Sequence, residues 1–420
     1  MRKRKVYSED IVFIDPYFPG KSHKGFRGKI AINLFNDFPT AKSYFYTLNY
    51  PPGTKFFIGF KKFLRQILNL LSGRVAKMPF NNIVGYHLGI TKQKFNKNKG
   101  IYSSLFPEHA DKICFLDYHA EYNARLAYMI FLNVVYQLIP FLEKNKIPFV
   151  FILFPGGGFG VNNHVSDKKL SKVLKSSYFR KVVVSNKYIE NYLITKDLCR
   201  PEQIHRFKYK RPLVSFDKLR DKLKYPNGKS TFDLVFVAYK YMPKGLDKGY
   251  DLFIDTAKTL SKNYDAFRFH VVGNWSEKEI DITEIRDKIT FYGVRDTAFL
   301  VELYSSMDIF LSPNRPNILG EGKFDGFPLG VHSLFCGVAL FVTDELNLNE
   351  HYEKDEIVII KPNLDDIVMK IKYYHGRLDE LYKLSAKGQS KLHSMIDIDK
   401  SREEKINFFQ EIIDNSPNRT

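Results

Sequence analysis

The chain has 420 residues, of which 44% are hydrophobic and 15% aromatic, so it can form more than one folded core and is not globally disordered. Its formal net charge of +19 favours a polyanionic partner, which can be nucleic acid, an anionic membrane surface or a phosphate-bearing substrate. Three widely spaced cysteines, Cys114, Cys199 and Cys336, argue against a disulfide framework and indicate a reducing compartment.

The first half of the chain contains several apolar runs. Its start lacks the apolar region of a signal peptide, so we expect a cytoplasmic protein. The uncharged run 126–142 is too short for a full membrane span and contains polar residues, which predicts a buried helix. Strands are predicted at 147–153 and 181–185, with a helix at 187–193 after the second.

The stretch 56–74, FFIGFKKFLRQILNLLSGR, has the pattern of a basic amphipathic helix. Phe63 and Leu64 lie on its apolar face, whereas Lys61, Lys62 and Arg65 lie on the other. Such a helix either rests on an anionic membrane, here the inner face of the cytoplasmic membrane, or packs on a sheet.

The sequence PGGGFGVNNH at 155–164 follows a predicted strand. Gly157 and Gly158 allow a ligand to approach the backbone at the carboxyl edge of a parallel sheet. His164 is a candidate ligand contact, as is His119 in LDYHAEYN. The spacing does not match a P-loop, and the alternative is a tight turn with ordinary surface histidines.

The charged, turn-rich stretch 209–230 is a predicted linker, and a regular alternation of strands and helices follows it. This alternation predicts a doubly wound α/β domain, and a last helix is predicted at 401–415. The predicted strands are 232–238, 267–272, 289–292, 308–312 and 338–342, and the predicted helices are 249–262, 297–306 and 328–336.

Four segments in the range 232–395 resemble, in order, the donor-binding domain of retaining GT-B glycosyltransferases of family four. They are FVAYKYMPKGLDKGYDLFIDTAKTL, FRFHVVGNW, ITFYGVRDTAFLVELYSSMDIFLSPN and FDGFPLGVHSLFCGVALFVTD. The resemblance implies an α/β protein of the GT-B fold, with two facing Rossmann-like domains. The domains would span residues 1–215 and 216–398, with a helix at 401–416 crossing back to the first.

Lys248 and Gly249 are the strongest candidates for the diphosphate site. A nucleoside-diphosphate leaving group gains negative charge and needs a nearby cation. Lys248 stands just before Gly249 at a predicted helix start, and Lys240 is a candidate second cation at a strand end. The family usually has a glycine–arginine pair near that point, which is absent here. The alternative is that both lysines are solvated surface residues.

The motif Asp325-Gly326-Phe327-Pro328 opens a predicted helix whose N-terminus offers N–H groups to a bound anion. The resemblance implies that Asp325 lies beside the donor sugar. The family's second glutamate is missing, and His332 or Ser333 stands in its place as a candidate ribose contact. The resemblance further implies that His164 or His119 contacts the donor sugar or the acceptor.

These patterns and the resemblance predict a glycosyltransferase that moves a hexose from a nucleoside-diphosphate sugar to a hydroxyl, and the resemblance implies retention of configuration. The expected acceptor is a cell-surface glycan or its lipid-linked precursor. We expect no cofactor, no catalytic metal and no nucleic-acid partner, since the acidic pair Asp397 and Asp399 falls outside the donor region. Two alternatives remain: a sugar-nucleotide epimerase on the same fold, or a non-catalytic basic protein that binds polyanions.

Overall fold

A computed structural model describes residues 6–7, 10–16, 26–45, 91–117, 120–209, 216–240, 242–316 and 327–415. The chain divides into two compact units, which are described separately. Unit 1 comprises Met1–Phe207 and Arg402–Thr420, and unit 2 comprises Lys208–Ser401. The predicted helix 56–74 and His119 lie outside the described residues.

Unit 1 is built on a seven-stranded parallel sheet of order β4-β3-β2-β6-β7-β8-β9. The short strands β1 and β5 pair with each other apart from it. The described strands are β1 Val6–Tyr7, β2 Ile11–Asp15, β3 Lys42–Phe45, β4 Ile113–Phe115, β5 Glu121–Tyr122, β6 Leu126–Ile130, β7 Phe149–Leu153, β8 Phe179–Val184 and β9 Ile204–His205. Every residue of β2, β6 and β7 is buried, as expected when helices cover both faces of a parallel sheet.

The described helices of the first half are α1 Phe26–Asp37, α2 Lys92–Leu105, α3 Leu132–Lys144, α4 His164–Leu174 and α5 Lys187–Thr195. The last helix of the chain, α11 Ile398–Asp414, supplies four apolar residues to the core of unit 1, namely Phe408, Phe409, Ile412 and Ile413. The predicted return of the C-terminal helix to the first domain is therefore confirmed.

Unit 2 has a six-stranded parallel sheet of order β12-β11-β10-β13-β14-β15. Its strands are β10 Phe232–Val237, β11 Phe267–Val272, β12 Ile289–Gly293, β13 Ile309–Ser312, β14 Ala339–Val342 and β15 Val358–Ile359. Its described helices are α6 Tyr250–Ser261, α7 Thr297–Tyr304, α8 Phe327–Phe335, α9 Leu364–His375 and α10 Leu378–Ser394. The strand order reverses between β10 and β13, which is where doubly wound sheets bind ligands.

The run 126–142 is not one helix, so that prediction was wrong. Its first five residues form β6 and the remainder belongs to α3, with Phe131 between them at φ 74° and ψ 142°. A central parallel strand is apolar on both faces, so its sequence lacks the alternation that separates a strand from a buried helix. Among the described residues, no helix is both long and apolar enough to cross a membrane.

The described part of the predicted linker is anchored to unit 2 by two lysines. Lys229 Nζ lies 2.5 Å from Asp233 Oδ2 and 2.6 Å from Asp308 Oδ2. Lys222 Nζ donates to the carbonyl oxygen of Tyr304 at 2.7 Å. These contacts lie at the amino ends of β10 and β13. The site where the strand order reverses is at the opposite, carboxyl edge of the sheet. The segment is therefore part of unit 2 rather than a free tether.

Candidate functional site

The loop 242–249 joins β10 to α6 at the carboxyl edge of the unit 2 sheet. Gly245 has φ 57° and Gly249 has φ 67°, a region that only glycine adopts readily. A Cβ on Gly245 would lie 2.3 Å from the ring of Trp275, and one on Gly249 would lie 2.0 Å from the carbonyl oxygen of Pro313. The loop therefore packs directly against the chain that leaves β13.

Lys248 is the last residue of the turn Pro243–Lys248 within this loop, where it is half-buried. Because the loop leaves β10 and packs on the residue that follows β13, Lys248 lies where the strand order reverses. The first turn of α6 follows immediately, with Gly249 at its N-cap. A cation at this position, beside a helix N-terminus, suits a bound diphosphate.

Arg315 ties this loop to the exit of β13. Its Nη1 lies 2.9 Å and 2.8 Å from the two carboxylate oxygens of Asp251 on α6, and 3.3 Å from the carbonyl oxygen of Leu246. Its backbone N–H donates to the carbonyl oxygen of Asp247 at 3.0 Å. Arg315 thus holds the residues on both sides of Lys248.

Lys240 follows β10 and forms an ion pair with Glu279. Its backbone N–H donates to Asn274 Oδ1 at 2.7 Å, and Trp275 Nε1 donates to the carbonyl oxygen of Ala238 at 2.6 Å. The connection after β11 therefore fixes the end of β10 and brings a carboxylate to Lys240. Glu279 was not singled out from the sequence, because no local pattern links it to a lysine 39 residues earlier.

Helix α8 begins at Phe327, and its N-terminal motif is only partly described. Asp325 and Gly326 lie outside the described residues, and for Phe327 and Pro328 only the backbone is described. Pro328 stands in the first helical turn, as predicted from its fixed φ and missing N–H.

The candidate ribose contacts near the end of α8 have different surroundings. Ser333 is fully buried, and its Oγ donates to the carbonyl oxygen of Gly330 at 2.7 Å. His332 is half-buried. Gly337, with φ 73°, ends the helix region as expected of a C-terminal glycine. Of these two residues, His332 is therefore the one whose side chain is partly exposed.

In unit 1 the glycine loop after β7 packs against the turn between β6 and α3. Gly157 and Gly158 both have positive φ, at 55° and 102°. A Cβ on Gly157 would lie 2.4 Å from the ring of Phe131, and one on Gly158 would lie 2.2 Å from Oδ1 of Asn133. A side chain at either position would collide with Phe131 or Asn133. The loop is therefore a packed part of unit 1 and not an exposed turn.

His164 is the first residue of α4 and is exposed. The cap is supplied by Asn163, whose Oδ1 accepts from the N–H groups of Val165 at 3.0 Å and Ser166 at 3.1 Å. His164 is therefore not needed to cap the helix and lies at the end of the glycine loop.

Asp397 has a structural position at the start of α11. Its Oδ1 accepts from the backbone N–H of Lys400 at 2.9 Å, and its Oδ2 lies 3.1 Å from Lys400 Nζ. In the part of the chain that is described, no three His, Cys, Asp or Glu side chains are grouped as metal ligands.

The comparisons with known proteins agree with this architecture. Residues 232–374 match the family model described as "Glycosyl transferases group 1". Sucrose-phosphate synthase from Thermosynechococcus elongatus has a similar structure, with a TM-score of 0.61 and 12% identity over 97% of this chain and 100% of that one. A search of curated proteins gives no match at a significant level.

Two further solved structures have the same fold. A glycosyltransferase from Rickettsia africae ESF-5 gives a TM-score of 0.59 at 13% identity, over 98% of this chain and 99% of that one. HepE from Anabaena, in complex with UDP, gives 0.60 at 13% identity, over 96% and 100%. The two parallel-sheet units and these structural matches define a GT-B fold. The resemblance of unit 2 to group 1 glycosyl transferases is confirmed by the matched family model.

Proposed function

We propose that the chain transfers a hexose from a nucleoside-diphosphate sugar to a hydroxyl group, with retention of configuration. The observation that carries this proposal is the position of Lys248, held between β10 and β13 by a loop whose glycines contact Trp275 and Pro313. The matched family segment covers this same loop. HepE was solved with UDP and with UDP-glucose, so a uridine diphosphate sugar is the first donor to test.

In the proposed reaction, the bond between the anomeric carbon and the β-phosphate oxygen breaks as the acceptor oxygen forms the new bond. The acceptor proton leaves with the diphosphate. Lys248 stabilises the negative charge that develops on the leaving group, and the N-terminus of α8 adds its unpaired N–H groups. Asp325 would lie beside the sugar, and His332 would contact the ribose. Lys240 would add a second cation once its contact with Glu279 opens.

No metal is required in this proposal, because lysine and the helix N-terminus neutralise the diphosphate. The acceptor is proposed to be a cell-surface glycan or its lipid-linked precursor, and the protein a cytoplasmic one. The basic stretch 56–74 is proposed to bring it to the inner face of the membrane. Co-sedimentation with anionic vesicles at low salt tests that attachment, and no sedimentation would contradict it.

The reaction is tested by incubating the protein with UDP-glucose, with and without a panel of hydroxyl acceptors, and by measuring UDP release and the sugar product. The expected result is UDP release that depends on the acceptor. Conversion of the donor sugar without acceptor and without UDP release would identify an epimerase and overturn the proposal. The panel is repeated with GDP-, ADP- and CMP-sugars, so that a wrong choice of base is not mistaken for a wrong reaction class.

A further inference from the structure

Two lysines of α4 converge on one aromatic ring in unit 1. Lys169 Nζ lies 5.6 Å and Lys172 Nζ lies 5.3 Å from the centroid of Tyr136, a residue of α3. Residues three apart on a helix are neighbours on its surface, so the two ammonium groups lie on the same side of α4. Their charges repel each other, and an anion placed between them would relieve that repulsion.

One of the groups that contact Lys169 is a neutral amide. Lys169 Nζ donates to Asn133 Oδ1 at 2.6 Å, and Asn133 is buried in the first turn of α3. The amide fixes the direction of the ammonium group and adds no charge of its own. Burial lowers the pKa of Lys169 to about 8, which reflects how poorly water solvates its charge. A desolvated ammonium gains more from an anionic ligand than a surface lysine does.

This lysine pair adjoins the glycine loop at the carboxyl edge of the sheet. Asn133 contacts Lys169, and its side chain also packs closely against Gly158. The backbone N–H of Asn133 donates to the carbonyl oxygen of Gly157 at 2.8 Å. Gly157 is half-buried, so part of this loop is exposed. The lysines therefore adjoin the edge at which α/β units bind their ligands.

Asp167 is the acidic residue of α4, and it already has a hydrogen-bond partner in unit 1. Asp167 Oδ1 accepts a hydrogen bond from the hydroxyl group of Tyr192 at 2.7 Å. At the carboxyl end of β2, the buried Asp15 is paired with Arg27, whose guanidinium carbon lies 4.8 Å from the ring centroid of Phe131. These two carboxylates have partners of their own, while His164 and Lys168 add exposed basic groups to α4.

We infer that Lys169 and Lys172 bind an acidic group of the acceptor, a phosphate or a carboxylate, beside the Gly157–Gly158 loop. This inference rests on the proposed function, because it assigns the acceptor to unit 1. The acceptor class is thereby narrowed from any hydroxyl compound to one that carries a negative charge near the reacting hydroxyl. Neutral sugars would lack the group that this lysine pair recognises.

The test uses three small probes, glycerol 3-phosphate, gluconate and uncharged glycerol, with binding measured by ligand-observed NMR at low salt. All titrations are made in the Lys248→Ala background, so that the phosphate site of unit 2 does not contribute. We expect one or both acids to bind, glycerol not to bind, and Lys169→Met/Lys172→Met to weaken acid binding at least tenfold. Lys181→Met is the matched control, since Lys181 lies in the same unit and contacts Glu411 at 3.5 Å.

The two acid arms separate the sources of the negative charge: binding of glycerol 3-phosphate alone assigns a phosphate, and binding of gluconate alone assigns a carboxylate. Equal acid binding by the double variant and the control would overturn the inference. UDP binding is then measured with Lys248 intact. Weaker UDP binding by Lys169→Met/Lys172→Met would assign the lysines to the donor and also overturn the inference. Failure of the proposed function is distinct, because the protein with both lysines intact would then bind no nucleotide.

Discussion

Arg315 and Asp251 form a two-point contact, in which Nη1 of Arg315 lies 2.9 Å and 2.8 Å from the two carboxylate oxygens of Asp251. The two residues come from different connections, since Arg315 follows β13 and Asp251 belongs to the first turn of α6. Lys248 lies between the elements that they join. The pair therefore fixes the loop that carries the candidate diphosphate lysine.

Arg315→Lys is expected to lower kcat/KM for the donor roughly tenfold, with little change in the unfolding temperature. Nη1 of Arg315 contacts both Asp251 oxygens and the Leu246 carbonyl oxygen, and the shorter lysine side chain cannot place its ammonium group at the same point. Lys248 is then held less firmly, which costs about 1–2 kcal/mol of transition-state stabilisation. Donor kinetics and thermal unfolding measure the two effects. Arg220→Lys is the matched control, because Arg220 and Glu302 form a 3.0 Å pair in which both side chains are more than 60% exposed. An equal loss in both variants would show that Arg315 has no special role.

Lys248→Ala is expected to reduce kcat by a factor on the order of 10²–10³. Removal of a preorganised charge from a developing anion typically costs about 2.7–4 kcal/mol. Lys244 lies in the same turn and is exposed, so Lys244→Ala is the control and should retain activity. Asp325→Ala is expected to act in the same direction as Lys248→Ala. Activity of Lys248→Ala within a few-fold of the unmodified protein would remove Lys248 from the mechanism.

Treatment with EDTA is expected to leave the transfer rate unchanged. The proposed neutralisation of the diphosphate uses Lys248 and the N-terminus of α8, neither of which depends on a bound ion. The rate is measured after dialysis against EDTA and again after addition of Mg²⁺ or Mn²⁺. A rate that falls on chelation and returns with either ion would contradict metal independence.

The stability of unit 2 is expected to rise with pH through the titration of Lys222. Burial lowers the pKa of Lys222 to about 7, against the opposing attraction of Asp308, while Lys229 lowers it further. Between pH 7 and the ordinary lysine pKa of 10.5 the unfolded chain therefore binds more protons than the folded one. Folding is accordingly favoured as pH increases across this window.

The matched comparison for this effect is Lys222→Met, which removes the titrating group. From pH 7 to pH 9 the unfolding free energy of the unmodified protein should rise relative to that of the variant, by on the order of 1 kcal/mol per pH unit. Urea unfolding at both pH values measures the difference. Parallel pH profiles for the two proteins would show that Lys222 does not titrate in this range.

Much of unit 2 could be predicted from the sequence, because its strands are short apolar runs between glycine or charged residues. Strands β10, β11, β12, β13 and β14 and helices α6, α7 and α8 were all predicted, with ends that differ by a few residues. Gly249 was predicted to let the backbone approach a diphosphate, whereas its contact with the carbonyl oxygen of Pro313 became visible only in the structure.

Other features depend on contacts between distant parts of the chain, which a local pattern does not contain. The contacts of Arg315 with Asp251 and of Lys240 with Glu279 join residues 64 and 39 positions apart. In the sequence, Asp233 and Asp308 look like two unrelated acidic residues. In the folded sheet both are buried and contact Lys229. Strand β6 was missed because its fully apolar sequence continues into α3 without a turn signal.

Binding of a nucleotide sugar by unit 2 at Lys248 can be measured by isothermal titration calorimetry. The protein, Lys248→Ala and Lys244→Ala are each titrated with UDP-, GDP-, ADP- and CMP-sugars. We expect saturable one-to-one binding for at least one nucleotide class, weakened at least tenfold by Lys248→Ala and unchanged by Lys244→Ala. Absence of saturable binding for every nucleotide sugar, or equal affinity in the Lys248→Ala variant, would contradict this expectation.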